Sequence, residues 1–455
     1  MKVGYGRAVI TPPLGTPCLL GLDNQMVEVF DDLYVRAVWL QVGGEGLLIV
    51  AGDIVNLEVA DAEQFIAQLA AETSVSKDCI ILHSTHMHQS PSSRWGFGEL
   101  LQPYGLADEF VSQEFRTRLL NGYVSAAREA IADATECVMA YGHAPVANVA
   151  SNRRIPDPDH PGTVMFRQSR PSEDLRRWPE GPIDPLVRVL MFKEVNGNRM
   201  TGICNYNCHP TATGGDGAPY ATADFPGAAI RLLEEEMPGI RLLHLTGTTG
   251  EINPGKHILG DMYAVADRKA DRDRCGRRYA DGILDAIQAL DPWRDPTELI
   301  VQHCNPIELS VSSDLPGREA MEAELAKEVA LYRAGKRRAE HDPGVMNRLL
   351  STTRLTQLMR GGKIATQAAA VRLDNVLFTF MAGEIFAQLG NALRQRLGHP
   401  KLLNVAVCFG ATIGYVVPPE CYSQGGYEPT ATRLAPTAYD ELLEEMTELL
   451  VTVAH

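Results

Sequence analysis

The stretch RAVWLQVGGEGLLIVAGDIVNLEVADAEQFIAQLAAETSVSKDCIILHST, residues 36–85, decides the fold class. It opens with two β-branched, apolar runs that are separated by a Gly-Gly pair, which predicts two strands joined by a turn. Apolar residues then recur at helical spacing over 60–73 and are followed by the apolar run 79–85. This order of strand, strand, helix and strand predicts an α/β fold.

The rest of the chain continues the alternation of strands and helices. Two strands around an Asn-Gly hairpin signal are predicted within 186–206, just before His209 and Pro210. Further strands are predicted at 241–247, 375–383 and 402–410, and helices at 108–134, 226–236, 268–290, within 316–359, before 397 and after 436. The Pro-, Asp- and Arg-rich segment 152–185 has no period and is predicted to form loops. With no repeat or linker, we expect a single domain over 1–455, with mixed central β-sheets flanked by helices.

Composition and charge narrow the possible partners. Of the 455 residues 45% are apolar and 22% are charged, which is typical of a soluble globular protein. The formal charge of −15 and the pI near 5.3 argue against binding to nucleic acid or to an anionic membrane. The sequence has no apolar run of transmembrane length, and its first residues lack a signal-peptide core. We therefore expect a cytoplasmic protein without integral membrane contact, acting on a small molecule; the sequence does not indicate its oligomeric state.

Nine cysteines are scattered along the chain, which is not typical of a disulfide framework. Most are therefore expected to be reduced. Cys204 and Cys208 lie close to His209, so two readings stay open: a thiolate ligand, or small buried side chains. The spacing matches neither a haem attachment site nor a structural zinc motif.

Three histidines at the ends of predicted strands are candidate metal ligands. His86 and His88 alternate along an extended chain, so both imidazoles can face one cavity while His83 faces the other way. His209 follows another apolar strand. Taken alone, each histidine is better explained as an ordinary hydrogen-bonded side chain.

Two further residues complete a possible site. Glu384 follows a strand and a glycine, where a helix-start charge or a salt bridge is the simpler explanation. Tyr415 lies in GATIGYVVPP, where a half-buried strand aromatic is the simpler explanation. Two histidines and a carboxylate nevertheless suit catalytic zinc, which keeps one position open for water.

Seven short motifs occur in an order that is far more specific than any one of them. They are THMH (85–88), CHPTA (208–212), ADFPG (223–227), TGTTGEINPG (246–255), AGEIF (382–386), GYVVPP (414–419) and GGYEP (425–429). This series resembles the catalytic domain of the neutral/alkaline ceramidase superfamily, and GRAVITPPLGTP (6–17) resembles that family's opening. The match runs from residue 7 to about residue 430.

The resemblance implies roles for individual residues. It implies a Zn²⁺ site with the ligands His86, His209, Glu384 and Tyr415. It also implies three residues at the substrate, which are His88, Arg153 and Tyr427. His88 would lie beside the metal and move a proton, Arg153 would face the substrate carbonyl, and Tyr427 would donate to the oxyanion.

The sequence departs from the family in several places. Asn253 stands where ceramidases carry a serine that has been assigned to catalysis, so it either shapes a hydrogen-bonding loop or forms a structural turn. We expect no C-terminal β-sandwich domain, because only 28 residues follow Tyr427. The segments 91–110 (with Trp95, Phe97 and Tyr104) and 255–275 are either substrate-recognition loops or insertions without a role. A small, soluble, polar substrate is expected.

The sequence therefore favours a zinc-dependent amidohydrolase that cleaves a C–N bond with a metal-activated water. An esterase, a lactonase or a lyase could use the same site, because a Lewis acid polarises any carbonyl. An inactive, zinc-stabilised binding protein is the alternative outside the enzymes. The completeness of the residue set argues against loss of activity.

Overall fold

The structure is a computed structural model that describes residues 1–19, 22, 24–157, 159–160, 162–167, 173–178, 180–214, 218–260, 264–334, 343–410 and 413–454. Its strands are β1 Lys2–Val9, β2 Glu28–Val29, β3 Tyr34–Val42, β4 Glu45–Gly52, β5 Ile80–Ser84, β6 Thr135–Pro145, β7 Ser151–Asn152, β8 Arg154–Pro156, β9 Val164–Phe166, β10 Leu186–Glu194, β11 Met200–Tyr206, β12 Tyr220–Ala221, β13 Ile240–Thr246, β14 Ile252–Asn253, β15 Leu299–Ser310, β16 Lys363–Leu373, β17 Val376–Met381, β18 Glu384–Ile385, β19 Leu402–Val405 and β20 Tyr415–Val416. Its helices are α1 Val59–Thr73, α2 Trp95–Leu101, α3 Ala107–Phe110, α4 Gln113–Ala132, α5 Glu173–Arg177, α6 Asp224–Glu236, α7 Val265–Gln288, α8 Arg318–Arg333, α9 Pro343–Leu358, α10 Ala387–Leu397, α11 Pro419–Gln424, α12 Tyr427–Ala431 and α13 Ala438–Ala454.

The largest layer is an eight-stranded mixed sheet with the order β13-β11-β10-β6-β1-β3-β4-β5. Only the two outer pairs, β13 with β11 and β4 with β5, are parallel; the inner pairs are antiparallel. Parallel neighbours need a crossover connection, which is supplied by α1 between β4 and β5 and by α6 between β11 and β13. The mixed α/β class predicted from residues 36–85 is confirmed.

The two edge strands of this sheet meet at their carboxyl ends. Thr246, which ends β13, donates its backbone N–H to Nε2 of His83 in β5 at 3.1 Å. The Thr246 hydroxyl donates to the carbonyl of Thr85 at 2.8 Å. Since β5 and β13 are the outermost strands, the sheet curls until the chain segments that follow its edges lie side by side.

A second sheet, with the order β15-β16-β17-β19, continues directly into this region. After β19, the backbone N–H of Ala406 donates to Thr246 at 3.1 Å, and that of Phe409 donates to Leu82 at 2.9 Å. Side chains of both sheets share one hydrophobic cluster, for example Val38 and Leu48 with Phe378 and Phe380. The segment after β19 thus fastens the second sheet to both edges of the first.

One predicted helix is wrong in its extent. The helix predicted over 108–134 is divided into α3 and α4, because Val111 and Ser112 are extended. The Ser112 hydroxyl accepts the backbone N–H of Phe115 at 3.1 Å, which caps α4 and fixes its start. Of the described helices, none combines the length and the apolar character that crossing a membrane requires. The single domain over 1–455 stays a prediction.

Candidate active site

His86 and His209 reach the same place from the two sides of the curled sheet. His86 is two residues beyond β5 and His209 three residues beyond β11. His86 has a φ of 68°, in the left-handed region, and its backbone N–H donates to Ile54 at 3.0 Å. Their ring centroids are 4.8 Å apart, and both side chains are almost completely buried. The strand-end placement expected from the sequence therefore brings these two imidazoles together.

Backbone carbonyls fix the orientation of both rings. Nδ1 of His86 lies 2.7 Å from the carbonyl oxygen of Val55, and Nδ1 of His209 lies 2.7 Å from that of Thr249 and 3.0 Å from that of Ile252. A carbonyl only accepts, so each Nδ1 carries the hydrogen and each neutral ring keeps its lone pair on Nε2. Burial lowers the pKa of His209 to about 4, which favours the neutral ring.

The carboxylate of Glu384 faces both free ring nitrogens. Its Oε2 lies 3.1 Å from Nε2 of His209 and 3.4 Å from Nε2 of His86. Burial raises the pKa of Glu384, but positive charge and N–H donation from His86 and His209 outweigh burial and hold the pKa well below its usual value. When both rings are neutral, a cation bound beside them must supply that positive charge. Two lone pairs and a carboxylate at these distances repel one another unless a proton or a cation lies between them. The donor set therefore fits a metal ion bound by nitrogen and oxygen.

His88 belongs to the same cluster. Its Nε2 lies 3.4 Å from Nε2 of His86, and one ligand nitrogen from each of His86, His88 and His209 lies within 4.8 Å of the other two. These three histidines form a group that could hold a metal ion. The outer position implied for His88 stays a prediction.

Tyr415 is positioned by the short parallel pair of β18 and β20, in which Glu384 is directly opposite Tyr415. The backbone N–H of Glu384 donates to the carbonyl of Gly414 at 2.8 Å. Burial, followed by the charge of Glu384, raises the pKa of Tyr415 well above its usual value. Tyr415 thus lies beside Glu384 in the candidate site.

Arg153 and Tyr427 lie on the other side of Tyr415. The guanidinium carbon of Arg153 is 5.9 Å from the ring centre of Tyr415 and 5.6 Å from that of Tyr427. The two tyrosine rings meet edge to face at 5.8 Å. Tyr427 is 56% exposed, so its ring can meet a molecule that enters from solvent. All seven residues singled out in the sequence therefore form one continuous cluster.

Glu428 is a site residue that the sequence interpretation missed. It pairs with Arg153 at 2.9 Å and with Arg154 at 3.2 Å, and it is 1% exposed. Arg153 also donates to the carbonyl of Gly250. A buried carboxylate between two arginines fixes the direction of both side chains. The acidic residue directly after Tyr427 in GGYEP was the signal available in the sequence.

Asn253 ends β14 and starts a turn through its side chain. It is buried, its side-chain oxygen accepts the backbone N–H of Gly255 at 2.9 Å, and its carbonyl accepts the hydroxyl of Ser151 at 2.7 Å. These contacts agree with the structural-turn interpretation. The preceding loop carries the Thr249 and Ile252 carbonyls that hold His209.

The structure also bears on two questions that the sequence left open: whether Cys204 and Cys208 ligate a metal, and what the segment 91–110 does. Cys204 and Cys208 are buried, and burial raises the pKa of both thiols, to about 12 for Cys204, which disfavours thiolate ligands. All nine cysteines are free. In the segment 91–110, Trp95 lies in the core against Phe65, whereas Phe97 lines a pocket beside the candidate site.

The comparison with solved structures agrees with this architecture. A crystal structure of neutral ceramidase from Pseudomonas aeruginosa superposes with a TM-score of 0.72, at 16% identity over 99% of this chain and 74% of that one. The chain has the neutral ceramidase fold. A ceramidase complexed with C2 also superposes with a TM-score of 0.72, at 17% identity over 100% of this chain and 75% of that one. No protein-family model and no curated protein matches the sequence, so the ceramidase likeness rests on the structure and on the short motifs.

Proposed function

We propose that this protein is a zinc-dependent amide hydrolase. Its substrate would be an N-acyl compound, and the bond between the carbonyl carbon and the nitrogen would be cleaved. The observation that carries the proposal is the convergence of Nε2 of His86, Nε2 of His209 and Oε2 of Glu384, with distances of 3.1 and 3.4 Å from the carboxylate. The ceramidase fold and the order of the motifs support the reaction type.

His86, His209, Glu384 and Tyr415 would hold the zinc ion. Neutral imidazoles whose Nδ1–H groups donate to carbonyls are typical zinc ligands, and a carboxylate completes a common catalytic set. The chemistry that zinc supplies when bound is a water molecule of lowered pKa and a polarised carbonyl. The Val55, Thr249 and Ile252 carbonyls contribute by holding both rings in the orientation that ligation needs.

Arg153 and Tyr427 would stabilise the oxyanion that develops on the substrate carbonyl. Burial lowers the pKa of Arg153, but Tyr415 and Glu428 outweigh burial and raise it, so the guanidinium stays charged. A well-aimed donor of this kind contributes about 2.7–4 kcal/mol to transition-state stabilisation. Glu428 would act as a positioning residue, because its carboxylate pairs with Arg153 at 2.9 Å.

His88 would transfer a proton to the leaving nitrogen. An imidazole titrates near neutral pH when its pKa is unperturbed, which suits an acid that must give up a proton during turnover. Its ring centroid lies 4.9 Å from that of His86 and 5.7 Å from that of His209, so it borders the same space. The same residues could serve an esterase, a lactonase or a lyase.

The proposal is tested by zinc analysis combined with chromogenic substrates. The purified protein should contain about one zinc per chain and hydrolyse N-acyl 4-nitroanilides. A chelator should abolish this activity and added zinc should restore it. Glu384→Gln should lose both zinc and activity, whereas Glu448→Gln, an exposed carboxylate on α13, should keep both. Tight zinc without turnover of any acyl compound would favour the binding protein, and turnover of 4-nitrophenyl esters alone would favour an esterase.

A further inference from the structure

The pocket beside the candidate site is built by three distant parts of the chain. Residues 56–58 and 94–97 form one wall, α9 forms the second, and the segment 413–433 forms the third. Glu384, Tyr415 and Tyr427 of the candidate site also line it. A substrate whose carbonyl reaches the candidate site can therefore place the rest of its structure in this pocket.

Three arginines line the pocket: Arg94, Arg348 and Arg433. Arg94 donates to the side-chain oxygens of Asn56 at 3.3 Å and Asn347 at 2.9 Å. These partners are neutral amides. Within the described part of the chain, no carboxylate forms an ion pair with Arg94.

Arg433 also has only neutral partners among the described residues. It donates to the hydroxyl of Thr352 at 2.7 Å and to the backbone carbonyls of Thr430, Ala431 and Thr432, each at 2.9 Å. Burial, followed by the nearby positive charge of Arg348, lowers the pKa of Arg433. A guanidinium that is partly desolvated beside a like charge gains from an added anion.

The two carboxyl groups that line the pocket are already engaged. Glu384 faces the histidines. Glu58 is 4% exposed, accepts the backbone N–H of Gly96 and lies 3.4 Å from Arg354. Burial raises the pKa of Glu58 to about 7, so its negative charge is incomplete at neutral pH. Glu58 also interacts electrostatically with Arg94, but among the described residues neither Arg94 nor Arg433 is ion-paired with a carboxylate. These two arginines therefore offer positive charge in the pocket, although the whole chain carries a formal charge of −15.

We propose that the substrate carries an anionic group, of the carboxylate class, that Arg94 and Arg433 bind in this pocket. A guanidinium forms charge-assisted hydrogen bonds with a carboxylate. The contacts above engage Nε and Nη1 of both arginines and leave Nη2 of each to donate to such an anion. Leu57, Phe97, Leu355 and Ile413 line the same pocket and would contact a short hydrocarbon between the anion and the scissile amide. This inference rests on the proposed function and gives it a substrate class, an anionic amide in place of a neutral lipid.

Matched pairs of substrates that differ only in charge test the inference. One pair places the charge on the acyl side: glutaryl 4-nitroanilide and its terminal carboxamide. The other places it on the amine side: an N-acetyl amino acid and its amide. In at least one pair we expect the anionic member to have a kcat/KM about 10-fold to 100-fold higher, the effect of a charge-assisted bond, and we expect the ratio to fall at high ionic strength.

Arginine variants assign the effect to the pocket. Arg433→Gln and Arg94→Gln should each lower the ratio of anionic to neutral kcat/KM about 10-fold or more. Arg318→Gln, an exposed arginine of α8 paired with Glu322, should leave the ratio as in the wild type. A ratio near one in both pairs, or a ratio that neither pocket variant changes, would overturn the inference and leave the amide hydrolase intact.

A binding measurement separates this inference from the proposed function. Glutarate and glutaramide are titrated into the zinc-loaded wild type and the three variants by calorimetry. Glutarate should bind more tightly than glutaramide, and Arg433→Gln and Arg94→Gln should weaken glutarate binding, whereas Arg318→Gln should not. If neither substrate pair is hydrolysed but this pattern holds, the hydrolase proposal fails and the anion pocket stands. Equal glutarate binding by all four proteins would reject the pocket.

Discussion

At the scale of single residues, the candidate site is defined by which atoms are already engaged. Nδ1 of His86 and Nδ1 of His209 each donate to backbone carbonyls. Nε2 of each ring therefore faces Glu384 and the space around it. The sequence could place His86, His88 and His209 at strand ends, and the family resemblance assigned them to one site. It could not predict the carbonyls, since Val55 and Thr249 act through their backbone and any residue type could stand there.

His88 provides the sharpest test of roles within the cluster. We expect His88→Ala to retain zinc and to lose activity by about 10²–10⁴-fold, the usual effect of removing a positioned acid or base. His143→Ala, an exposed histidine of β6, is the matched control and should retain both. Zinc content and kcat/KM are measured on the same preparations. Loss of zinc from His88→Ala would instead make His88 a ligand.

Glu251 predicts a pH dependence of stability. It is 4% exposed, and burial raises its pKa to about 8 from 4.5, although the Ala387 backbone N–H donates to it at 3.0 Å. A raised pKa in the folded state contributes stability that is present below pH 4.5 and is lost as the pH rises toward 8. Glu251→Gln should not lose stability in this way as the pH rises, because its neutral amide resembles the protonated acid.

The variant should therefore gain stability relative to wild type between pH 4.5 and 8, by about 1.4 kcal/mol per pH unit at most, and the gain should level off above pH 8. Urea unfolding of the zinc-free proteins at pH 5, 6.5 and 8.5 measures the difference. Glu448→Gln should parallel the wild type. A constant offset between Glu251→Gln and wild type at all three values would show that the buried acid does not titrate as described.

At the scale of elements, two very short strands determine the site. β18 and β20 contain two residues each, yet their parallel pairing places Glu384 opposite Tyr415. Gly383 precedes β18 with a φ of 86°, and an added Cβ there would lie 2.7 Å from Ile413 and 2.8 Å from the carbonyl of Gly414. A side chain at Gly383 would therefore push these strands apart.

We expect Gly383→Ala to weaken zinc binding about 10-fold to 100-fold, the usual effect of disturbing the support of a metal ligand. Gly398→Ala is the matched control: its φ of 61° carries similar backbone strain, but nothing lies within 4 Å of the added Cβ. Both variants should lose about 1–2 kcal/mol from the left-handed conformation, and only Gly383→Ala should lose zinc affinity. Competition with a chromogenic chelator measures affinity, and equal zinc affinity in the two variants would exclude the proposed role of β18 and β20.

Prediction from the sequence succeeds for long periodic elements and fails for short ones. The runs around 36–85 and 186–206 gave strands because β-branched and apolar residues dominate there. The break between α3 and α4 cannot be predicted from apolar spacing, because that spacing continues through it. The Ser112 hydroxyl, which caps α4, is what fixes the start of the second helix. Strands of two residues, such as β18 and β20, are too short to show a period, so Glu384 and Tyr415 were connected only through the family resemblance.

At the scale of the whole molecule, the site exists because the eight-stranded sheet curls. Thr246 joins the two edges through His83 and Thr85, and the segment after β19 brings in the second sheet that leads to Glu384. Strand order depends on pairings between distant residues, which local spacing does not encode. Through this arrangement, four stretches separated by up to hundreds of residues would meet around one metal ion.

X-ray diffraction from zinc-loaded crystals, recorded on both sides of the zinc absorption edge, would locate this metal ion. We predict one anomalous peak at the candidate site, about 2.0–2.2 Å from Nε2 of His86, Nε2 of His209 and the Glu384 carboxylate, with the Tyr415 hydroxyl as the fourth protein ligand. The absence of a peak there, or a peak bound by the three histidines with Glu384 and Tyr415 beyond bonding distance, would exclude this metal site.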